Sequence, residues 1–115
     1  MEPELLPLTD IPDSVRAFVD GVLLPHLTAG QPKDTIWCSQ WGEHPDAVHR
    51  LAAISDEWSH MLESPDASLH GFLRDVLDYH LPMLVDREKG SFRRCGQGRH
   101  STHAQLDAVK PPPTP

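Results

Sequence analysis

Residues 45–62 read PDAVHRLAAISDEWSHML. Val48, Leu51, Ala52, Trp58, Met61 and Leu62 recur at helical spacing, which predicts one apolar stripe on a helix that starts at Pro45. Proline suits the first helical position, where its missing N–H costs nothing. Asp46 and Arg50 are spaced four apart and predict a surface ion pair.

Working outward, the same periodicity appears twice more. Upstream, Asp13 or Ser14 can cap a helix running to about Leu27, with Val15, Phe18, Val19, Val22 and Leu23 on one face and Pro25 weakening its last turn. The stretch 28–35 is rich in turn formers. Downstream, Ser64-Pro65-Asp66 breaks the chain, and Asp66 or Ser68 can cap a third helix to about Val85. Its stripe is Leu69, Phe72, Leu73, Val76, Leu77, Leu81, Leu84 and Val85. Pro82 lies inside this pattern and predicts a kink or a split near Tyr79. Phe92 and Cys95 are expected to pack back on the helices. The fold class predicted is all-α: a small three-helix domain with a helical hairpin, a kinked third helix and a disordered Pro-rich tail. The organisation predicted is an extended lead-in over 1–12, one domain over 13–95 and the tail over 96–115.

The 115 residues carry a net charge of −7. The charge is unevenly placed: residues 1–86 hold four Lys/Arg against fifteen Asp/Glu, and residues 87–115 hold six against two. An acidic body disfavours phosphate backbones, and the basic end is small, so any nucleic-acid binding is expected to be weak. Arg87, Lys89, Arg93, Arg94 and Arg99 are the residues that would make such contacts. No apolar run approaches a membrane span and the start is acidic, so the expectation is a cytoplasmic protein that avoids membranes.

Four residues could carry chemistry. Cys38 and His44 precede the second helix, His80 lies on the apolar stripe of the third, and Cys95 comes after it. If helices two and three form an antiparallel hairpin, these four converge at one end. Two thiolates and two imidazoles make a closed tetrahedral zinc set of the structural kind. The spacing, Cys-x5-His and then His-x14-Cys, matches no standard finger. The alternative is a core histidine bonded to a backbone carbonyl, with His44 as a helix cap and the cysteines as buried thiols. Tail His100 and His103 are substitute ligands. Trp37 and Trp41 read as core packing before base stacking. Nucleophile-elbow, P-loop, zincin and dinucleotide signatures are missing, so no catalytic residue is assigned.

At these positions the chain resembles an uncharacterised actinobacterial domain family carried on plasmids, integrative elements and phages. The resemblance rests on Trp37-Cys38, Trp41, Glu43-His44-Pro45, Ala47-Val48 and Arg50-Leu51. It continues through Trp58, Arg74-Asp75, Leu77-Asp78, His80-Leu81, and Phe92 with Cys95. Gly42 stands where that family usually has Trp, Leu73 and Val76 where it has Trp and His, and Ser91 where it has Gly-Pro. The resemblance implies a mobile-element origin and no assigned activity. Together these readings predict a helical interaction module that binds another protein. The first alternative is an accessory nucleic-acid-binding protein using residues 87–99, and a more distant one is a metal-dependent enzyme.

Overall fold

A computed structural model describes residues 11–30 and 34–95. The regular elements of the described chain are all helices, apart from one isolated bridge. Helix α1 spans residues 13–30, α2 spans Pro45–Glu63, and α3 spans residues 69–85, with a single 3-10 turn at Trp41–Glu43 before α2. The expected lead-in and tail fall on residues 1–10 and 96–115, outside the described residues apart from Ile11 and Pro12.

Each helix start has its own chemistry. The α1 cap position is Pro12, one residue before the expected Asp13 or Ser14, and no side chain caps the helix. Instead the Pro12 carbonyl accepts from the N–H groups of Val15 and Arg16. Helix α2 begins at Pro45 as expected, with His44 at the cap position. Helix α3 is capped by Ser68, whose Oγ accepts from the Gly71 N–H at 3.0 Å.

The prolines act on helix geometry rather than on helix length. Helix α1 passes through Pro25 to Gly30, and α3 passes through Pro82 to Val85. Each contains a wide π-helical segment upstream of its proline, Val19–Leu23 in α1 and Phe72–Leu77 in α3. A proline ring crowds the carbonyl four residues back and removes one ladder bond, so the preceding turns must open. Helix α2, whose proline is its first residue, has no such segment. In α3 the break falls at Leu77–Asp78, just ahead of Tyr79.

The core is shared by all three helices. Val15, Phe18, Val19 and Leu23 of α1 meet Ala47, Val48, Leu51 and Ile54 of α2, and Phe72, Leu77, Leu84 and Val85 of α3. Two stripe residues do not go inside: Leu62 is 66% exposed and Leu69 is 54% exposed, because both sit at the turn joining α2 to α3. Conversely Ile54 and Ser55, outside the expected stripe, are buried. Trp58 stacks edge-on against Phe72 at 5.2 Å and tilts against Phe18 at 6.0 Å, tying the three helices at this end.

The other end is closed by the chain on either side of the hairpin. Thr35 and Asp86 form an antiparallel bridge, flanked by the Ile36 N–H donating to the Val85 carbonyl and the Arg87 N–H donating to the Asp34 carbonyl. Asp34 takes a left-handed φ of 55° to enter it, a conformation that Asp tolerates better than most residues. After α3 the chain folds back: the N–H groups of Ser91 and Phe92 donate to the carbonyls of Met83 and Leu84. Gly90 makes this possible, since a Cβ there would sit 2.6 Å from the Leu84 carbonyl oxygen. Phe92 is thereby fully buried, as the sequence suggested. No described helix is long and apolar enough to cross a membrane.

Candidate metal centre

The bridge between residues 35 and 86 decides where the chemistry falls. It sets the segment that enters α2 beside the segment that leaves α3. Cys38 and His44 lie on the first, Cys95 on the second. Their ligand atoms all lie within 4.8 Å of one another, and all three residues are buried. His44 Nε2 is 3.5 Å from Cys95 Sγ.

Local structure aims each donor. His44 caps α2 with its backbone alone: its carbonyl accepts from the Val48 N–H, and its N–H donates to the Trp41 carbonyl. The imidazole is therefore turned inward, where the Phe92 ring meets it edge-on at 5.1 Å. Trp37 packs on the same Phe92 at 4.9 Å. Cys95 is set by its own N–H donating to the Phe92 carbonyl at 2.9 Å. The Phe92 ring thus packs on the segment that carries Cys38 and His44, while its backbone carbonyl holds Cys95.

The electrostatics suit a cation. Burial pushes the Cys38 thiol above its ordinary pKa, and Cys95 and Glu43 nearby push it further, against an opposing hydrogen bond from the Gln40 backbone. Without a positive charge, forming a thiolate here means burying a negative charge beside another sulfur and near a carboxylate. A divalent metal reverses that balance by stabilising thiolates directly.

His80 is the correction to the four-ligand set. It does not join the other three; Arg50 Nη1 lies 3.1 Å from its Nδ1. Arginine can only donate, so Nδ1 accepts and the ring is neutral. The reason is helical rise. His80 stands five residues before the end of α3, about 7.5 Å from the terminus at 1.5 Å per residue. In an antiparallel hairpin it meets Arg50, further along α2 than His44. Burial and then Arg50 lower the His80 pKa below its ordinary value.

Asp46 and Arg50 likewise do not make the expected surface pair. Ser91 Oγ donates to Asp46 Oδ2 at 2.5 Å, while Arg50 turns to His80. Both polar residues of α2 tie it to later parts of the chain, one to the fold-back turn and one to α3. Nothing in the sequence spacing pointed to those partners. Of the basic candidates, Arg87, Lys89, Arg93 and Arg94 are exposed on and after the turn that ends α3. Arg99, His100 and His103 lie outside the described residues.

A three-helix domain with two buried cysteines and a histidine drawn together from both sides of a helical hairpin is the class that fold and site define. The family model described as a domain of unknown function (DUF4913) matches residues 13–114, and the chain belongs to that family. The comparisons with curated proteins and with solved structures found no match.

Proposed function

We propose that this chain is a metal-stapled helical module that binds another protein, with one zinc ion held by Cys38, His44 and Cys95. The observation that carries the metal reading is the convergence of three buried soft-to-borderline donors from two segments far apart in sequence. Zinc fits because its usual ligands are cysteine sulfur and imidazole nitrogen. A metal there would clamp the start of α2 to the chain after α3 and add its binding energy to folding. The accessory role in an actinobacterial mobile element is supported by the sequence resemblance alone.

Three described donors rather than four bear on the enzyme alternative. A closed four-ligand zinc has no position for substrate, whereas three protein ligands and a water are the catalytic arrangement. The two can be told apart with cobalt. Cobalt(II) loaded into the full chain should give thiolate-to-metal charge-transfer absorption that Cys38→Ser weakens. A spectrum unchanged by added small anions supports a structural role. A spectrum that shifts on anion binding, through an exchangeable water, favours the enzyme. No thiolate band at all removes the metal reading.

The nucleic-acid alternative has its own observation, the exposed Arg87, Lys89, Arg93 and Arg94. The expected result is weak binding to random duplex DNA at physiological salt, because few phosphate contacts are available. Submicromolar binding under those conditions would displace the interaction-module reading.

A further inference from the structure

We propose that Cys38 and Cys95 are also a reversible redox pair: oxidation by a small-molecule disulfide closes them into an intramolecular disulfide and expels the metal. The expulsion rests on the zinc reading above; the closing of the pair does not. The chain contains two cysteines, so the pairing is unique. Their sulfurs are within 4.8 Å, and a disulfide of about 2.05 Å requires them to approach by less than about 3 Å.

The fold, and not the sulfurs, imposes this proximity. The Thr35–Asp86 bridge and the Ile36 to Val85 hydrogen bond at 2.8 Å hold the two segments side by side. Phe92, on the second segment, packs against Trp37 and His44 on the first. The thiols are therefore held at high effective concentration before any bond forms. In the unfolded chain the same residues are separated by a long loop, whose closure costs entropy.

The chemistry balances as thiol–disulfide exchange with a compound such as oxidised glutathione. One protein thiol gives its proton to the buffer, and the resulting thiolate attacks one glutathione sulfur. The glutathione disulfide bond breaks, and one glutathione leaves as a thiolate that takes up a proton. The second protein thiol attacks the protein sulfur of the mixed disulfide and expels the second glutathione. Two protein thiols and one oxidised glutathione give one protein disulfide and two reduced glutathiones. From the metal-bound form, the two thiolates give up the electrons, solvent supplies two protons, and the metal ion is released. A sulfur in a disulfide is no longer a thiolate donor, which leaves His44 as the one remaining ligand of the three.

The test uses the full chain. Metal-free protein is equilibrated with glutathione redox mixtures in native buffer and in denaturant, and intact mass gives the fraction that has lost two hydrogens. The native chain should favour the intramolecular disulfide at least tenfold more, equivalent to about 30 mV. Equal ratios, or mixed disulfides with glutathione as the main native products, overturn the proposal. As a second readout, zinc-loaded chain is treated with excess oxidised glutathione in the presence of a metallochromic indicator. One metal should appear per disulfide formed, and zinc that stays bound while thiols are lost would also overturn it. Cys95→Ser should stop at one attached glutathione. A chain that takes no zinc yet closes the pair retires the metal reading alone. A chain that binds zinc but never closes the pair retires this inference alone.

Discussion

The two ends of the α2–α3 hairpin are held by different physics. At the turn end, Ser64 to Ser68, the hydrogen bonds are local turn and cap bonds, and the side chains that join the helices are apolar. Trp58 and Phe72 lean together, Leu62 and Leu69 face solvent, and an apolar cavity of about 180 Å³ lies among Phe18, Leu23, Trp58, Phe72 and Leu77. At the open end the chain before α2 and the chain after α3 are interlocked. A bridge, a fold-back turn, Phe92 and three buried donors meet there. The lesson is that a short hairpin needs a reason for its open end to stay closed, because covalent connection does that work only at the turn. Here the reason is a backbone bridge together with packing on Phe92, and it coincides with the only described cluster of metal-type ligands.

That contrast can be broken by substitution. Phe92→Ala should cost most, about 3–5 kcal/mol, since it empties a fully buried aromatic site packed on Trp37 and His44. Chemical denaturation would measure it, and a loss below about 1 kcal/mol would mean that the open end is not closed by packing. Gly90→Ala comes next. Its Cβ would press on backbone atoms of Leu84 and Asp86 at 2.6–2.7 Å, so a loss of about 1–3 kcal/mol is expected from forced backbone shifts. At the turn end, Ser68→Ala removes one side-chain cap of α3 and should cost about 1 kcal/mol. A turn-end loss as large as that of Phe92→Ala would erase the distinction between the ends.

The smallest effect is a pH dependence from the middle of the hairpin. The folded pKa of His80 is below its ordinary value of 6.5, through burial and then Arg50. The folded protein therefore binds this proton less readily than the unfolded chain does. The contribution to stability is complete above the unfolded value and is lost as pH falls through it toward the folded value. His80→Gln should show a shallower fall in stability on acidification than the native chain. Identical slopes would mean that the Arg50–His80 contact carries no linkage.

The periodic parts of this fold were legible because helical burial repeats every three to four residues, and Pro45 marked the α2 start without ambiguity. Leu62 and Leu69 were misplaced by the same rule, since periodicity describes a face and not whether anything covers its end. The π segments of α1 and α3 leave no periodic signature of their own. For the site, Cys38 and His44 precede Pro45 closely and Cys95 comes soon after Phe92, and these three are the candidates that the structure brings together. His80 was misassigned because its helical face was read correctly while its height along α3 was not. The Thr35–Asp86 bridge, which brings the donors together, involves a residue in a turn-rich stretch with no strand pattern. Asp46 and Arg50 looked like each other's partners because spacing on one helix is visible in sequence and contacts between helices are not.

The central claim is that the open end is closed around a metal. Native mass spectrometry of the full chain, purified without chelator, measures this most directly when paired with thermal denaturation before and after metal removal. The account predicts one zinc per chain, lost together with several kcal/mol of stability on chelation, and Cys38→Ser protein that carries no zinc. A chain that contains no metal, takes none up when zinc is supplied, and melts at the same temperature with and without chelator would contradict it.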